Sequence, residues 1–220
     1  MISERQKNII EDIRNRKWWI MNKKEIAEYH KTEIPENYNP DEVFFLSLSY
    51  NKEIDNNWLG KIGELTDLKS LHIDKTNISD KGIKHLERLH NLKNLNLRGV
   101  NITDSSLKII SKLPNLETLW LNETKIKGKK LNLLSNCENL NKLFLGKTYI
   151  SDKTLKSVSE IKKIEDLSVS DTKITSKSLN IIRSLPNLKY LDITNTGIPE
   201  NEVENLKKEF PKMTIHHIDW

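Results

Sequence analysis

The sequence predicts an α/β fold, a solenoid of stacked units that each contain a strand, a turn and a helical segment. Six leucines recur at a constant interval of 24 residues: Leu71, Leu95, Leu119, Leu143, Leu167 and Leu191. Around each leucine apolar and polar residues alternate, as in LETLWLNE, which is the period of a half-buried strand. A second apolar series follows at helical spacing, for example Leu155, Val158 and Ile161. A single unit cannot bury its apolar face, so only stacking closes a core.

The composition fits a thin core with a large surface. The chain has 220 residues, of which 36% are hydrophobic and 30% charged, and this length suits one domain or one elongated array. Lysine and arginine number 36 against 31 aspartate and glutamate residues, which leaves a net charge of +5. Because the two signs are interspersed along the chain, the charge gives only weak support for an acidic partner.

The cysteine count and the hydropathy pattern indicate a reducing compartment. Cys137 is the only cysteine, so neither an intramolecular disulfide nor a cysteine zinc site can form. The N-terminal stretch mixes charges and lacks the apolar core and cleavage site of a secretory signal. No stretch approaches the roughly 18 apolar residues of a membrane span. We therefore expect a cytoplasmic protein, although export by a specialised secretion system would leave no such mark.

Residues 1–42 lie outside the repeat and predict an N-terminal helical cap. Ser3 and Gln6 have capping-box spacing, so a helix is expected over residues 3–17. Its predicted apolar face and ion pair are formed by Ile9, Ile10 and Ile13 and by Asp12 with Arg16. We expect this helix to cover the open edge of the first strand. The apolar stretch WWIM at 18–21 is expected to pack on the cap, with an exposed docking motif as the alternative.

Residues 43–220 are predicted to form the solenoid, with about eight strands. Six strands come from the regular repeats and two from degenerate copies at the ends, where a unit has only one neighbour. In the first degenerate copy the strand positions fall on Val43, Leu46 and Leu48. In the last copy they are assigned to Met213, His216 and Ile218.

The shared template, LxxLxLxxTxIxD, resembles the leucine-rich repeat family over about residues 43–220. The T-x-I-[ST]-D continuation, seen at Thr76 and Thr148, is similar to the intracellular and bacterial variants of that family. The stretch SNCENL at 135–140 resembles the cysteine-containing repeats found behind F-box segments. The resemblance implies a curved right-handed solenoid, with a parallel sheet on the concave side and helices on the convex side.

The sequence departs from the family at the position after the strand. Threonine mostly replaces the buried asparagine of the family, and Val100 interrupts the series. A threonine hydroxyl can still bond to a loop backbone, whereas valine cannot. Ser79 or Asp80, and Thr103 or Asp104, are expected to cap the helical segments that follow.

No catalytic or metal-binding constellation is visible in the sequence. There is no phosphate-binding glycine loop and no H-E-x-x-H motif. The adjacent His216 and His217 are expected on opposite sides of a strand, where they make a poor metal site. Cys137 occupies a position that is apolar in other copies, so we expect a core residue. We expect a protein that is not an enzyme and that needs no cofactor.

The residues between the inward leucines line the opposite face of the strands and form columns across the repeats. The central column is predicted to contain Ser47, His72, Asn96, Trp120, Phe144, Ser168, Asp192 and His217. Parallel strands lie about 4.8 Å apart, so Trp120 and Phe144 should stand side by side in the middle of the sheet. The alternative is that these two rings only stack on each other and stabilise the sheet.

This aromatic pair is predicted to be the centre of a protein-binding site. Aromatic and arginine side chains are over-represented at interface hot spots, and a polar surround is typical of such sites. The polar surround is predicted to consist of His72, Asn96, Arg98, Asn122, Tyr190 and Asp192.

A lysine-rich rim is the second candidate surface. It is expected on the turns after the strands and consists of Lys125, Lys127, Lys129, Lys130, Lys147, Lys153 and Lys173. Such runs mostly serve solubility, and contact with a nucleic acid or an anionic membrane would weaken steeply with salt.

The leading hypothesis is a monomeric, non-catalytic module that binds another protein on its concave face. The first alternative is a bacterial effector or immunity-type protein that binds a host or toxin protein by the same mechanism. The second is binding of a polyanion, namely a nucleic acid, through the lysine rim, and we expect a nucleic-acid partner less than a protein partner. The resemblance to F-box repeats also implies the substrate-recruiting arm of a ubiquitin ligase, but residues 1–42 do not resemble an F-box.

Overall fold

The computed structural model describes residues 3–22, 24–25, 28 and 43–217. In this part of the chain nine strands form one sheet whose order follows the sequence. The strands are β1 (Trp19–Asn22), β2 (Val43–Ser47), β3 (Ser70–His72), β4 (Asn94–Asn96), β5 (Thr118–Trp120), β6 (Lys142–Phe144), β7 (Asp166–Ser168), β8 (Tyr190–Asp192) and β9 (Thr214–His216). β1 is antiparallel to β2, and the later pairs are parallel. The predicted leucine-rich repeat solenoid is confirmed, with one additional strand.

Short helical segments return the chain along the convex side. The α-helices are α1 (Glu4–Asn15), α2 (Asn56–Ile62), α3 (Asp80–Ile83), α4 (Leu107–Ile110), α5 (Asp152–Leu155), α6 (Leu179–Arg183) and α7 (Glu200–Glu209). The 3₁₀ segments are Lys84–Arg88, Leu131–Asn136, Lys156–Glu160 and Ser176–Ser178. Between β3 and β8 none of the α-helices exceeds two turns, whereas α7, between β8 and β9, has ten residues.

The constant repeat length sets the strand register. Leu71 pairs with Leu95, Leu95 with Leu119, and the later strand leucines continue in line. These leucines are fully buried and belong to one continuous core cluster. Cys137 lies in the same cluster, as predicted, and burial raises the pKa of its thiol to about 12.

Threonine forms a hydrogen-bonded ladder after the strands. In five repeats the hydroxyl donates to the backbone carbonyl three residues earlier at 2.5 to 2.8 Å. The five donors are Thr76, Thr124, Thr148, Thr172 and Thr196. Val100 fills the same position as a buried apolar residue, so the predicted break in the ladder is confirmed.

The turn that follows each strand contains a residue in the left-handed region. Its φ lies between 53° and 65° in seven successive units. These residues are Tyr50, Lys75, Gly99, Glu123, Lys147, Asp171 and Asn195. Only Gly99 is a residue type that adopts this conformation without steric cost, so the residue types at these positions do not predict the left-handed turn. The turn places the side chains of this column along one rim of the solenoid.

The predicted helix caps are only partly correct. Ser79 is the N-cap residue of α3 but makes no side-chain capping bond. The Asp80 carboxylate instead accepts from Thr103 and Ser106 of the next repeat. The Asp104 carboxylate likewise accepts three backbone N–H groups of residues 127–129. These aspartates join neighbouring repeats, which a pattern within one unit does not reveal.

The N-terminal segment covers the first edge of the sheet in two ways. Helix α1 begins after Ser3 with the predicted capping box, and Ile13 on its apolar face is fully buried. Asp12 and Arg16 form the predicted ion pair at 3.0 Å. Of the stretch WWIM at 18–21, which was predicted to pack on the cap, Trp18 is partly buried against the core, and the other three residues belong to strand β1, which pairs with β2. The expected domain boundary at residue 42 is at the end of residues 29–42, which lie outside the described part of the chain.

The last strand is displaced by one residue from its predicted register. Ile215, not His216, pairs with Leu191, and His216 pairs with Asp192 in the central column. His217 has a nearly buried ring that contacts the Glu200 carboxylate and the Ile198 carbonyl. The assignment of Met213, His216 and Ile218 was wrong because it added a residue, whereas the 24-residue period places the inward position at Ile215.

Candidate binding face on the concave sheet

A row of aromatic rings lies along the concave face. Trp120 and Phe144 are paired in register and stack with their ring centroids 5.5 Å apart and their planes 6° apart. On the other side of Trp120, the His72 ring lies 5.8 Å away. Beyond His72 lie Phe45, at 5.3 Å, and then Trp19 of β1, at 5.2 Å from Phe45. We call these five residues the aromatic row.

Two members of the aromatic row were not among the predicted site residues. Phe45 immediately precedes the buried Leu46, so alternation along β2 places Phe45 on the concave face. The repeat register could therefore have predicted its position. Trp19 lies outside the repeat, and its position depends on the antiparallel pairing of β1 with β2. The row therefore extends from the regular repeats onto the N-terminal segment, where Trp19 is 50% exposed.

An open depression of about 620 Å³ lies on the concave face beside the aromatic row. It brings together seven of the eight predicted residues: Asn96, Arg98, Trp120, Asn122, Phe144, Tyr190 and Asp192. His72 is not part of its lining, although its ring contacts Trp120. The remaining lining includes Asp166, Ser168, Ser170, Thr194 and His216.

Asn96 belongs to a polar network at the N-terminal side of the depression, and the nearby His72 is hydrogen-bonded to Ser70 Oγ at 3.1 Å. The buried Asp74 carboxylate accepts from Ser49 Oγ and, at 3.1 Å, from Asn96 Nδ2. Burial lowers the pKa of His72, and the nearby Asp74 charge opposes that shift without cancelling it. The Asp74 network thus holds the Asn96 side chain, whereas His72 is held by Ser70.

Arg98 is held at the rim by an ion pair. Its Nε donates to Glu123 Oε1 at 2.9 Å, and Lys75 Nζ lies 3.2 Å from Glu123 Oε2. The hydrogen bond from Arg98 keeps the pKa of Glu123 below its ordinary value. Because the single Glu123 carboxylate pairs with two cations, Arg98 and Lys75, a net positive charge remains at this edge of the depression.

Two carboxylates form the C-terminal side of the depression. Burial raises the pKa of Asp166, and the neighbouring Asp192 charge adds to that shift. Burial acts to raise the pKa of Asp192 as well, but hydrogen bonds from Thr194, Ser168 and Ser170 outweigh it and lower the pKa. In the described part of the chain the Asp166 side chain has no hydrogen-bond or ion-pair partner, whereas Ser168 Oγ donates to Asp192 at 2.8 Å.

The lysine rim is exposed along its whole length. All seven of its lysines are exposed, and none forms an ion pair with another described residue. A second depression of about 640 Å³ on this rim is lined by Thr103, Asp104, Lys125, Lys127 and Tyr149. The Tyr149 ring is 57% exposed, so the rim also carries one accessible aromatic side chain.

Within residues 3–22, 24–25, 28 and 43–217, no group of three or more histidine, cysteine, aspartate or glutamate side chains could hold a metal ion. None of the helices in those ranges has the length and apolar content needed to cross a membrane.

The sequence model described as FBD-associated F-box protein At5g56370, LRR repeats, matches residues 41–209. A comparison with curated proteins gave no match.

The chain is similar in fold to several solved structures. The LRR protein LIC12759 of Leptospira interrogans is 25% identical, with a TM-score of 0.54 over 70% of this chain and 38% of that one. Internalin C2 of Listeria monocytogenes is 18% identical, with a TM-score of 0.56 over 88% of this chain and 90% of that one. The plant peptide hormone receptor RGFR1, solved in complex with RGF2, is 16% identical, with a TM-score of 0.51 over 80% and 29%. The chain thus spans less than half the length of the Leptospira protein.

Proposed function

Because the chain belongs to the leucine-rich repeat family, we propose that it is a non-catalytic protein-interaction module whose partner binds the concave face. Members of this family generally act as binding modules, and the solenoid presents one continuous sheet to a partner. The observation that carries the proposal is the aromatic row, with the depression of about 620 Å³ beside it. A partly exposed aromatic centre with polar surroundings is the composition expected of an interface core.

The stacking of Trp120 on Phe144 is compatible with both interpretations of this pair, as the centre of a binding site and as a contact that only stabilises the sheet. The rings do stack, which contributes about 0.5 to 1 kcal/mol to the sheet. They also remain partly accessible and line the depression, which a purely structural pair does not require. The row continues to Phe45 and Trp19, and contiguous apolar surface is more often an interaction site than scattered aromatics are.

The experiment is affinity capture by the full chain from its native host, compared with a Trp120→Ala/Phe144→Ala double variant. We expect the double variant to lose its partner by at least about tenfold, because hot-spot truncations cost about 2 kcal/mol or more. The matched control is Tyr149→Ala, which removes an exposed aromatic ring from the rim and should capture the partner normally. Circular dichroism and thermal unfolding must show that all three proteins are folded. Equal capture by the double variant and the parent chain would refute binding on this face.

A second candidate function, polyanion binding, is favoured by the unpaired lysine rim. Its seven exposed lysines have no carboxylate partner among the described residues, unlike Lys93, Lys112 and Lys189. A Lys125→Gln/Lys127→Gln variant in the same capture experiment separates the two candidates. Capture that is lost in this variant, kept in the aromatic double variant and steeply weakened by salt would assign the function to the rim.

The biological setting is part of the proposal. A cytoplasmic, monomeric protein with a protein partner is the principal version, and a bacterial effector or immunity-type protein is the alternative. Both versions use the concave face and differ in whether the captured partner is a cellular, host or toxin protein. Fractionation of the native host distinguishes a retained protein from an exported one.

A further inference from the structure

The two sides of the concave depression differ in chemistry. Trp120 and Phe144 form its apolar side, whereas Asp166 and Asp192 form its C-terminal side. These carboxylates face the depression in a protein whose net charge is +5. An acidic wall in a basic protein is a local feature of this site and does not follow from the overall composition.

Asp166 is the more informative of the two carboxylates. It is half-buried and has no hydrogen-bond or ion-pair partner among the described residues. The charges that act on it are Lys142 and His216, which favour the carboxylate, and Asp192, which opposes it. A desolvated carboxylate without a direct partner costs folding free energy, so it is a suitable receptor for a cation supplied from outside.

The geometry of the rings limits what can bind the apolar side. One face of Trp120 is covered by Phe144, and on the opposite side the His72 ring lies at an angle of 41°. A sugar or a nucleobase normally stacks on an open ring face, and this indole offers mainly its edge. Aliphatic side chains, and aromatic rings in an edge-to-face arrangement, pack against ring edges.

Resting on the proposed function, we infer that the partner is a protein segment that places a basic side chain against Asp166 and Asp192 and an apolar side chain on the edges of Trp120 and Phe144. Asp166 lies on the strand next to Phe144 and two residues away in register, so roughly 8 Å separates their Cα atoms. Alternate side chains of an extended segment are spaced by about 7 Å. A basic and an apolar residue two positions apart therefore match the two sides of the depression.

Three pools of fluorescent nine-residue peptides test this inference on the full chain. The pools share the same leucine and phenylalanine positions, and their remaining positions carry arginine and lysine, serine and glutamine, or aspartate and glutamate. Fluorescence anisotropy is measured at about 0.15 M salt, where long-range attraction is largely screened. We expect the basic pool to bind about tenfold more tightly than the neutral pool, and Asp166→Asn to remove most of that preference.

The outcomes separate this inference from the proposed function. Binding that needs Trp120 and Phe144 but does not prefer the basic pool would overturn the inferred partner chemistry and leave the concave site in place. A preference for the acidic pool that Lys125→Gln/Lys127→Gln abolishes would overturn it in favour of the rim. If the Asp166→Asn/Asp192→Asn double variant still bound the basic pool more tightly than the neutral pool, these carboxylates would not be the groups that recognise the basic side chain. Binding by no pool at about 1 mM would count against both proposals.

Discussion

Asp166 and Asp192 lie on neighbouring strands of the concave face, yet the pKa of Asp166 is raised and the pKa of Asp192 is lowered. Burial dominates at Asp166 and raises its pKa, because the neutral acid needs less solvation. At Asp192 burial acts in the same sense, but hydrogen bonds from Thr194, Ser168 and Ser170 stabilise the carboxylate and lower the pKa. The Asp166 carboxylate therefore slightly destabilises the folded state, whereas the Asp192 carboxylate stabilises it.

Replacing each aspartate by asparagine should change stability with opposite sign. A raised folded pKa means that Asp166 gives its best stability below the unfolded value of about 3.9, and loses it as pH rises through the folded value. Asp166→Asn should then be slightly more stable at pH 7, by up to about 0.5 kcal/mol, and the gain should vanish towards pH 3. Urea unfolding at both pH values measures it.

Asp192→Asn is the matched comparison. Its lowered folded pKa gives stability that is present above the unfolded value and is lost as pH falls through the folded value. This variant should therefore be less stable at pH 7, by about 1 kcal/mol, and should approach the parent chain in acid. Equal shifts for the two variants would contradict the different environments assigned to these carboxylates.

At the scale of the element, the strand-to-turn junction is stabilised by side chains as well as by backbone pairing. The threonine hydroxyl bonds to a carbonyl three residues earlier, so a buried acceptor is satisfied inside the turn. The residue one position before the threonine adopts a positive φ, which costs roughly 1 kcal/mol for a residue other than glycine. Glu123 and Thr124 show this pairing of a strained residue with a bonded one.

Thr124→Val should lower the free energy of unfolding by about 1 kcal/mol, because the Leu121 carbonyl loses its side-chain donor. Steric exclusion is not the cause, since Val100 occupies the equivalent position in the preceding repeat. Val100→Thr is the matched control and should be neutral or stabilising. Denaturant unfolding of both variants measures the effect, and a loss of stability in Val100→Thr with none in Thr124→Val would contradict this account of the ladder.

At the scale of the whole molecule, the solenoid is stabilised by contacts between neighbouring units. Each repeat packs on the one before and the one after, so stability is distributed along the array and is lowest where a neighbour is missing. Helix α1 and strand β1 protect the first edge, where Ile13 is fully buried. Helix α7 buries Val203 and Leu206 at the other end, where Phe210, Met213 and Ile215 are only partly covered.

Leu206→Ala should open the C-terminal units without unfolding the rest. Leu206 is fully buried, and truncation of such a leucine costs about 2 to 5 kcal/mol. Amide hydrogen exchange should quicken in β8 and β9 and stay nearly unchanged in β3 and β4. Leu119→Ala, in the middle of the array, should instead reduce protection throughout. Uniform exchange in the Leu206→Ala variant would show that the solenoid unfolds as one cooperative unit.

The repeat period and the alternation along each strand are enough to predict the fold and most of the candidate site. A constant 24-residue period implies in-register stacking, because units of equal length bring equivalent residues into line. Alternation within each strand then separates Leu119 and Leu121, which face the core, from Trp120, which faces the depression. For this reason seven of the eight predicted residues line one surface.

Features outside the repeat period, and contacts between its units, could not be predicted in this way. The antiparallel pairing of β1, which brings Trp19 next to Phe45, joins a segment that carries no repeat to one that does. The bonds from Thr103 and Ser106 to Asp80 cross from one unit to the next. A repeat pattern describes one unit and its spacing, so contacts between segments of different kinds can be known only once the chain has folded.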